Sequence, residues 1–137
     1  MATASISSSF AIRVTQGAAA AETINIANPG RAMTINQVSI NWIGLAADMA
    51  ESTVTISKVT EAGVVTGLFA GAIAGSRVSL PVQLSDNSGL NTQIYFTEQN
   101  NAFSATDNLR IVTANAATQV DITLYCLGNP SQVLTVT

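Results

Sequence analysis

Apolar and polar residues alternate with period two along most of this chain, and no stretch keeps a convincing helical spacing. In SISSSFAIRVTQ, Ile6, Phe10, Ile12 and Val14 share one parity and Ser9 and Arg13 hold the other, the pattern of a half-buried strand. GAAAAET, from Gly17 to Thr23, tolerates a helix but is too short to hold one alone, so it is expected to be a connection. Ile24 and Ile26 then predict a short strand closed by the turn signal Asn28-Pro29-Gly30. In MTINQVSINWIGL, Met33 and Ile35 sit on odd positions and Val38, Ile40 and Trp42 on even ones. The change of parity at Asn36-Gln37 predicts a β-bulge.

Val54 and Ile56 alternate with Thr53, Thr55 and Ser57 before a turn at Glu61-Ala62-Gly63. Val78, Leu80, Val82 and Leu84 share a face, and Pro81 on the other side argues for an edge strand there. Asp86-Asn87-Ser88-Gly89 is a turn, TQIYFTE a strand through Ile94 and Phe96, and residues 100–108 a polar loop. Leu109, Ile111 and Thr113 alternate, Asn115 to Thr118 is expected to turn the chain, and Val120, Ile122, Leu124 and Cys126 answer on the returning strand.

About eight or nine short strands separated by turn signals read as all-β, and as a single-domain β-sandwich of the jelly-roll kind. A length of 137 residues fits one core. The expected organisation is an N-terminal arm over residues 1–9, a sandwich over 10–126, and an extension or extra strand over 127–137 after a Gly-Asn-Pro break. That last strand can pair within the subunit or with a neighbour. The N-terminal MATASISSSFAIRVTQ has neither a basic n-region nor an apolar run of signal-peptide length, so synthesis in the cytosol is expected.

Composition changes the picture in one respect. Charged residues make up 9% of the chain, against a usual share of about 25%, and the formal net charge is -3. Arg13, Arg31, Lys58, Arg77 and Arg110 are scattered and form no stripe for phosphates, which argues against nucleic acid and against anionic membranes as partners. There is no histidine and one cysteine, Cys126, so no intramolecular disulfide and no Cys/His metal cluster can form. A carboxylate pair is the one acid–base device conceivable, but Asp86 and Asp107 each precede Asn in loops where such side chains bond their own backbone. Neither a catalytic residue nor a cofactor or metal site is expected. Cys126 and Trp42 fall in phase with apolar neighbours and are expected in the core; a sugar-stacking role for Trp42 would need it exposed.

One stretch resists this grammar. GLFAGAIAG, residues 67–75, has glycines at spacing four and the wording of a viral fusion peptide. As a helix, residues 64–74 would reach about 16 Å, half a hydrocarbon core. Residues 64–68 therefore read as the tail of a strand and 69–76 as a crossover, with Leu68, Phe69 and Ile73 covered either by the core or by a neighbouring subunit.

A sparsely charged β-protein with one lysine has little to guard its strand edges, which points to self-association. The order VSINWIGLAADMAESTVTISKVTEAG, LPVQLSDNSG and TDNLRIVTANAATQVDITLY, across residues 36–126, resembles the small jelly-roll structural proteins of tailed bacteriophages. In these a Trp-containing strand, a TVTI.K strand and a closing D.LR...AN......I.L hairpin follow in this order. The resemblance implies a capsid decoration, or cement, protein on the outer surface of the phage head, a homo-oligomer with a trimer favoured, bound to the major capsid protein. Expected contacts with a partner or second subunit are Ile6 and Phe10, Leu68, Phe69 and Ile73, and Val133 and Leu134. The alternatives are a carbohydrate-binding jelly-roll module using Trp42, Tyr95 or Tyr125, a jelly-roll coat protein, and a membrane-penetrating viral protein using GLFAGAIAG.

Overall fold

The computed structural model describes residues 4–6, 8–28, 30–44, 52–75, 92–128 and 132–134. The strand expected over 77–84, the turn over 86–89 and the loop holding Asp48 and Glu51 lie outside the described residues. Among the described residues ten strands follow in order: β1 (Ala4–Ile6), β2 (Ser9–Ile26), β3 (Met33–Ile43), β4 (Ser52–Val59), β5 (Val65–Gly67), β6 (Ile73–Gly75), β7 (Thr92–Phe96), β8 (Ala102–Phe103), β9 (Asn108–Gly128) and β10 (Gln132–Leu134). Every described pairing is antiparallel.

The long strand β9 organises the fold. β2 runs along one of its edges from Ser9↔Leu127 to Ile26↔Leu109. The opposite edge is shared: β4 pairs with Asn108 to Ala114, and β3 with Gln119 to Gly128. One curled sheet thus has two halves, and their inner faces meet in a single core, the arrangement of a jelly-roll-like β-sandwich whose strands bend from one layer into the other.

The core follows the alternation read from the sequence. Met33 and Ile35 on one parity of β3, and Val38, Ile40 and Trp42 on the other, are all buried. The parity change is a register shift between Ile35 and Gln37, where the bulge was expected. Val54 and Ile56 from β4, and Leu109, Ile111, Val120, Ile122, Leu124 and Cys126 from β9, join them, together with Leu68, Phe69, Ile73 and Phe103 from the sheet edges.

Two expected breaks are absent. Gly17 to Thr23, read as a connection, stays inside β2, and Asn115 to Thr118, read as a turn, stays inside β9. The two stretches lie opposite each other, and the ladder shifts register there between Gly17 and Ala19 and again between Ala19 and Glu22. The turn chemistry of Asn115 is present but makes a kink. Its Nδ2 donates to the Gly17 carbonyl at 3.2 Å and its Oδ1 accepts from the Ala117 N–H at 3.1 Å. Both strands bend together, so neither reverses. Gln16, Thr113 and Ser52 are buried around the kink: Thr113 Oγ1 donates to Gln16 Oε1, and Gln16 Nε2 donates to Glu22 Oε2.

Residues 65–67 form a strand where the tail of one was expected, but residues 69–75, expected within a crossover, do not cross. β5 and β6 both pair with β4, at its C-terminal and N-terminal ends respectively, so the segment is one edge strand interrupted by a loop. The far edge of β3 is built the same way, with β7 and β8 separated by residues 97–101. The two interruptions clasp each other. Glu98 and Gln99 donate their N–H groups to the Leu68 carbonyl at 3.0 and 3.2 Å, Asn100 Nδ2 donates to the Gly67 carbonyl at 2.9 Å, and the Ala70 N–H donates to Glu98 Oε2 at 2.8 Å. Lys58 Nζ adds a bond to the Ala102 carbonyl at 3.2 Å, from one half-sheet to the other.

Candidate interaction face

Residues with chemical potential are largely absorbed by the fold. Cys126 is 2% exposed, its Sγ faces the Leu124 carbonyl at 3.6 Å, and burial pushes its thiol up to about 11. Asp107 accepts from the Ser104 N–H at 2.9 Å, the local turn bond expected of it. Trp42 is buried against Gly75, which removes it as a sugar platform. Among the described residues no group of three or more His, Cys, Asp or Glu side chains is placed to hold a metal ion, and no helix is long and apolar enough to cross a membrane.

The expected contact residues divide into three sets. Leu68, Phe69 and Ile73 are 0%, 8% and 7% exposed, so of the two covers open to them the chain's own core is the one present. The clasp between the two edge loops turns them inward. Phe10 is half-buried beneath the Arg31 guanidinium, which lies 4.8 Å from its ring centroid. Ile6, Val133 and Leu134 belong to β1 and β10, which pair with each other in a separate two-stranded sheet, Ile6 opposite Gln132 and Val133 opposite Ser5.

A surface that the sequence reading missed is the outer face of the half-sheet β2–β9–β3–β7. Residues directly opposite across strands point to the same side. Ala11, Tyr125, Gln37 and Phe96 therefore form one row. Arg13, Thr123, Ser39 and Ile94 form the next, and Ser9, Leu127 and Thr34 flank the first on its other side. Phe96 is 71% exposed, Ile94 55%, Tyr125 43% and Leu127 39%. Beside them a groove of about 390 Å³ is bordered by Ser9, Asn36, Gln37 and Tyr125, and a more polar one of about 240 Å³ by Arg13, Ser39, Asn41 and Asp121. The other half-sheet differs in kind: its outer rows carry Asn25, Arg110, Ser57, Thr23 and Thr55, and among the described residues its exposed large apolar ones are the aliphatic Val112 and Val65, with no aromatic among them.

A signal for this face exists in the sequence. Ile94-Tyr95-Phe96 and Leu124-Tyr125-Cys126-Leu127 are apolar on both parities, whereas a strand with one solvated face alternates. Both runs supply one side chain set to the core and another to the surface.

Comparison with known proteins agrees with the architecture. No protein-family model matches the chain, and no curated protein is significantly similar to it. Among solved structures, a chain of the acid-stable capsid of Helicobacter pylori bacteriophage KHP30 aligns over 98% of this chain and 100% of its own length, with a TM-score of 0.55 at 11% identity. The fold is shared with a phage capsid chain. Two others are similar at lower scores: the disulfide-linked pili of Bacillus endospore appendages, 13% identical over 96% of this chain and 93% of that one with a TM-score of 0.38, and infectious bursal disease virus strain Gx, 14% identical over 93% and 32% with a TM-score of 0.35. At such identities the likeness concerns the fold, and the phage capsid chain is the comparison that bears on it.

Proposed function

We propose that this chain is a non-enzymatic structural protein of a virus particle, a decoration or cement protein that binds the assembled phage head and stabilises it across capsomer boundaries. The observation that carries the reading is the end-to-end match in fold to a phage capsid chain of similar extent. The sparse charge and the apolar outer face support it, since a contiguous exposed apolar patch on a β-sheet marks an interaction site. A protein that binds the assembled shell and not its separated parts stabilises the shell by mass action, without any chemistry of its own. The organisation proposed is a sandwich over residues 10–126 with contact-making termini over 1–9 and 127–137, assembled with like subunits, a trimer favoured, on the major capsid protein.

Electron microscopy of the native assembly tests this: density for the chain on the outer surface of heads is the expected result. Its absence from purified heads removes the reading. Deletion of residues 1–9 is expected to lower occupancy on heads while the isolated sandwich stays folded; unchanged occupancy removes the arm. The exposure of Tyr125 beside Gln37 and Asn36 favours one second reading, a carbohydrate-binding module, and a glycan array separates the two.

A further inference from the structure

We infer that the outer face of β2–β9–β3–β7 is the contact between two copies of this chain, related by a two-fold axis that sets Arg13 of each copy against Asp121 of the other and brings the two Phe96 rings together. The inference goes beyond the function proposed above, which names like subunits but no surface between them. It also stands or falls apart from head binding.

The charges on this face point to a second copy as its occupant. Arg13 lies opposite Thr123, and Asp121 opposite Thr15, so both charges share the outer side, one strand and one row apart, where they border the polar groove. Arg13 is exposed and has neither hydrogen bond nor ion pair among the described residues. Asp121 accepts from Gln119 Nε2 at 2.9 Å and has no cation beside it among the described residues. One unpaired charge of each sign on a single face is what an isologous contact uses: residue i meets j while j meets i, so one pair forms twice. A formal net charge of -3 adds little repulsion between copies.

The apolar residues fall where that symmetry needs them. Strands lie about 4.8 Å apart and outward rows about 7 Å apart. On this grid the line equidistant from Arg13 and Asp121 runs across β9 and β3 and meets β7 beside Phe96. A two-fold axis along that line in the plane of the contact exchanges the two charges and stacks Phe96 on its own copy. The strands of the two sheets then cross at about 70°, close to the orthogonal class of sheet packing. Aromatic side chains offer about 150–250 Å² each, so Phe96 and Tyr125, 71% and 43% exposed, contribute about 400–500 Å² over two copies. That is nearly half of the roughly 1,000 Å² a specific interface needs, and Ile94, Arg13 and Gln37 lie in the same two rows to extend it.

The test is charge reversal in the full-length protein, read by sedimentation equilibrium at micromolar concentrations and low salt. The parent is expected to form an even-numbered assembly, a dimer or, where a trimer forms as well, a hexamer of two trimers. Arg13→Asp and Asp121→Arg are each expected to raise the dissociation constant of the two-fold contact roughly tenfold or more, since each sets two like-charge pairs against each other. Mixed in equal amounts, the two variants are expected to associate about as tightly as the parent, because every pair is then of opposite sign. The double variant Arg13→Asp/Asp121→Arg is expected to do so alone. Phe96→Ser is expected to weaken the contact by a similar factor with an unchanged thermal melt. A parent that stays monomeric or stops at a trimer, reversals that leave the constant unchanged, or a mixture no tighter than its components overturns the inference. If the isolated chain is monomeric but Phe96→Ser strips it from heads, the face takes the shell: the inference falls and the function stands. If self-association behaves as expected but heads carry no copy, the function falls and the inference stands.

Discussion

Gly75 gives the sharpest test of the fold. A Cβ built there would lie 2.5 Å from Trp42 Cε2, 2.6 Å from Cζ2 and 2.8 Å from Cδ2, in a place where ordinary carbon contacts are about 3.5–4.0 Å. The ring must therefore retreat by about 1 Å, and at 6% exposure Trp42 has no solvent side to retreat into. Overpacking of this kind costs about 1–3 kcal/mol. We expect Gly75→Ala to lose about 2 kcal/mol, out of the roughly 5–15 kcal/mol that holds a domain together. Urea unfolding followed by circular dichroism reads this as a lower midpoint at unchanged slope. Gly71→Ala is the control: nothing lies within 4 Å of its Cβ, and a change within about 0.5 kcal/mol is expected. Trp42→Leu is costly alone, yet combined with Gly75→Ala it should cost less than the sum by about 1 kcal/mol, because the clash has been removed. Additive losses, or a Gly75→Ala variant as stable as the parent, would refute the packing argument.

Further outcomes follow from other parts of the sandwich. Burial raises the Cys126 thiol from 9.0 to about 11, so between those values the unfolded chain gives up a proton that the folded chain keeps. Stability should hold below pH 9 and fall by about 2–3 kcal/mol as pH rises to 11, with the half-buried Tyr95 hydroxyl, also raised, acting in the same direction. Urea midpoints across that range, compared with Cys126→Ala, check this; the variant should lose less. Asn28 donates from Nδ2 to the Ser104 and Asp107 carbonyls, both at 3.0 Å, and accepts from the Gly30 and Arg31 N–H groups, so Asn28→Ala should cost about 1–2 kcal/mol in the same assay. Lys58→Met removes the bond to Ala102 across the two half-sheets, and hydrogen exchange at Phe103 should quicken while that at Ile122 stays slow.

Much of the fold was legible because period-two alternation is a local property. The β3 bulge could be placed from the parity of Met33, Ile35, Val38 and Ile40 alone, since each of these side chains had to reach the core. The failures share one cause. Asn115 to Thr118 and Gly17 to Thr23 carry the small and polar residues that locally favour a turn or a connection. Whether such a stretch reverses the chain or merely kinks it depends on the strand opposite, and two weak stretches facing each other bend as a pair. Phe103, expected in a polar loop, is 2% exposed because β8 pairs with β3 across a long sequence separation that no local pattern encodes. The same holds for the candidate site. Leu68, Phe69 and Ile73 could be recognised as needing cover, but their cover depends on a loop about thirty residues away, Glu98 to Asn100.

The clasp between the two interrupted edges also bears on which apolar side chains stay exposed. By turning Leu68, Phe69 and Ile73 inward it removes an apolar loop from the surface, and by tying residues 98–100 it fixes β7 as the flank of β3. β7 is then held with Tyr95 inward and Ile94 and Phe96 outward, beside Tyr125. The single lysine, the residue most used to guard a sheet edge, spans the two half-sheets to the Ala102 carbonyl instead. Protection of this flank by charge has thus been given up in favour of closing the sandwich. On the structural role proposed above, the charge deficit of the sequence and the exposed row at Phe96 and Tyr125 are two expressions of the same need for a partner.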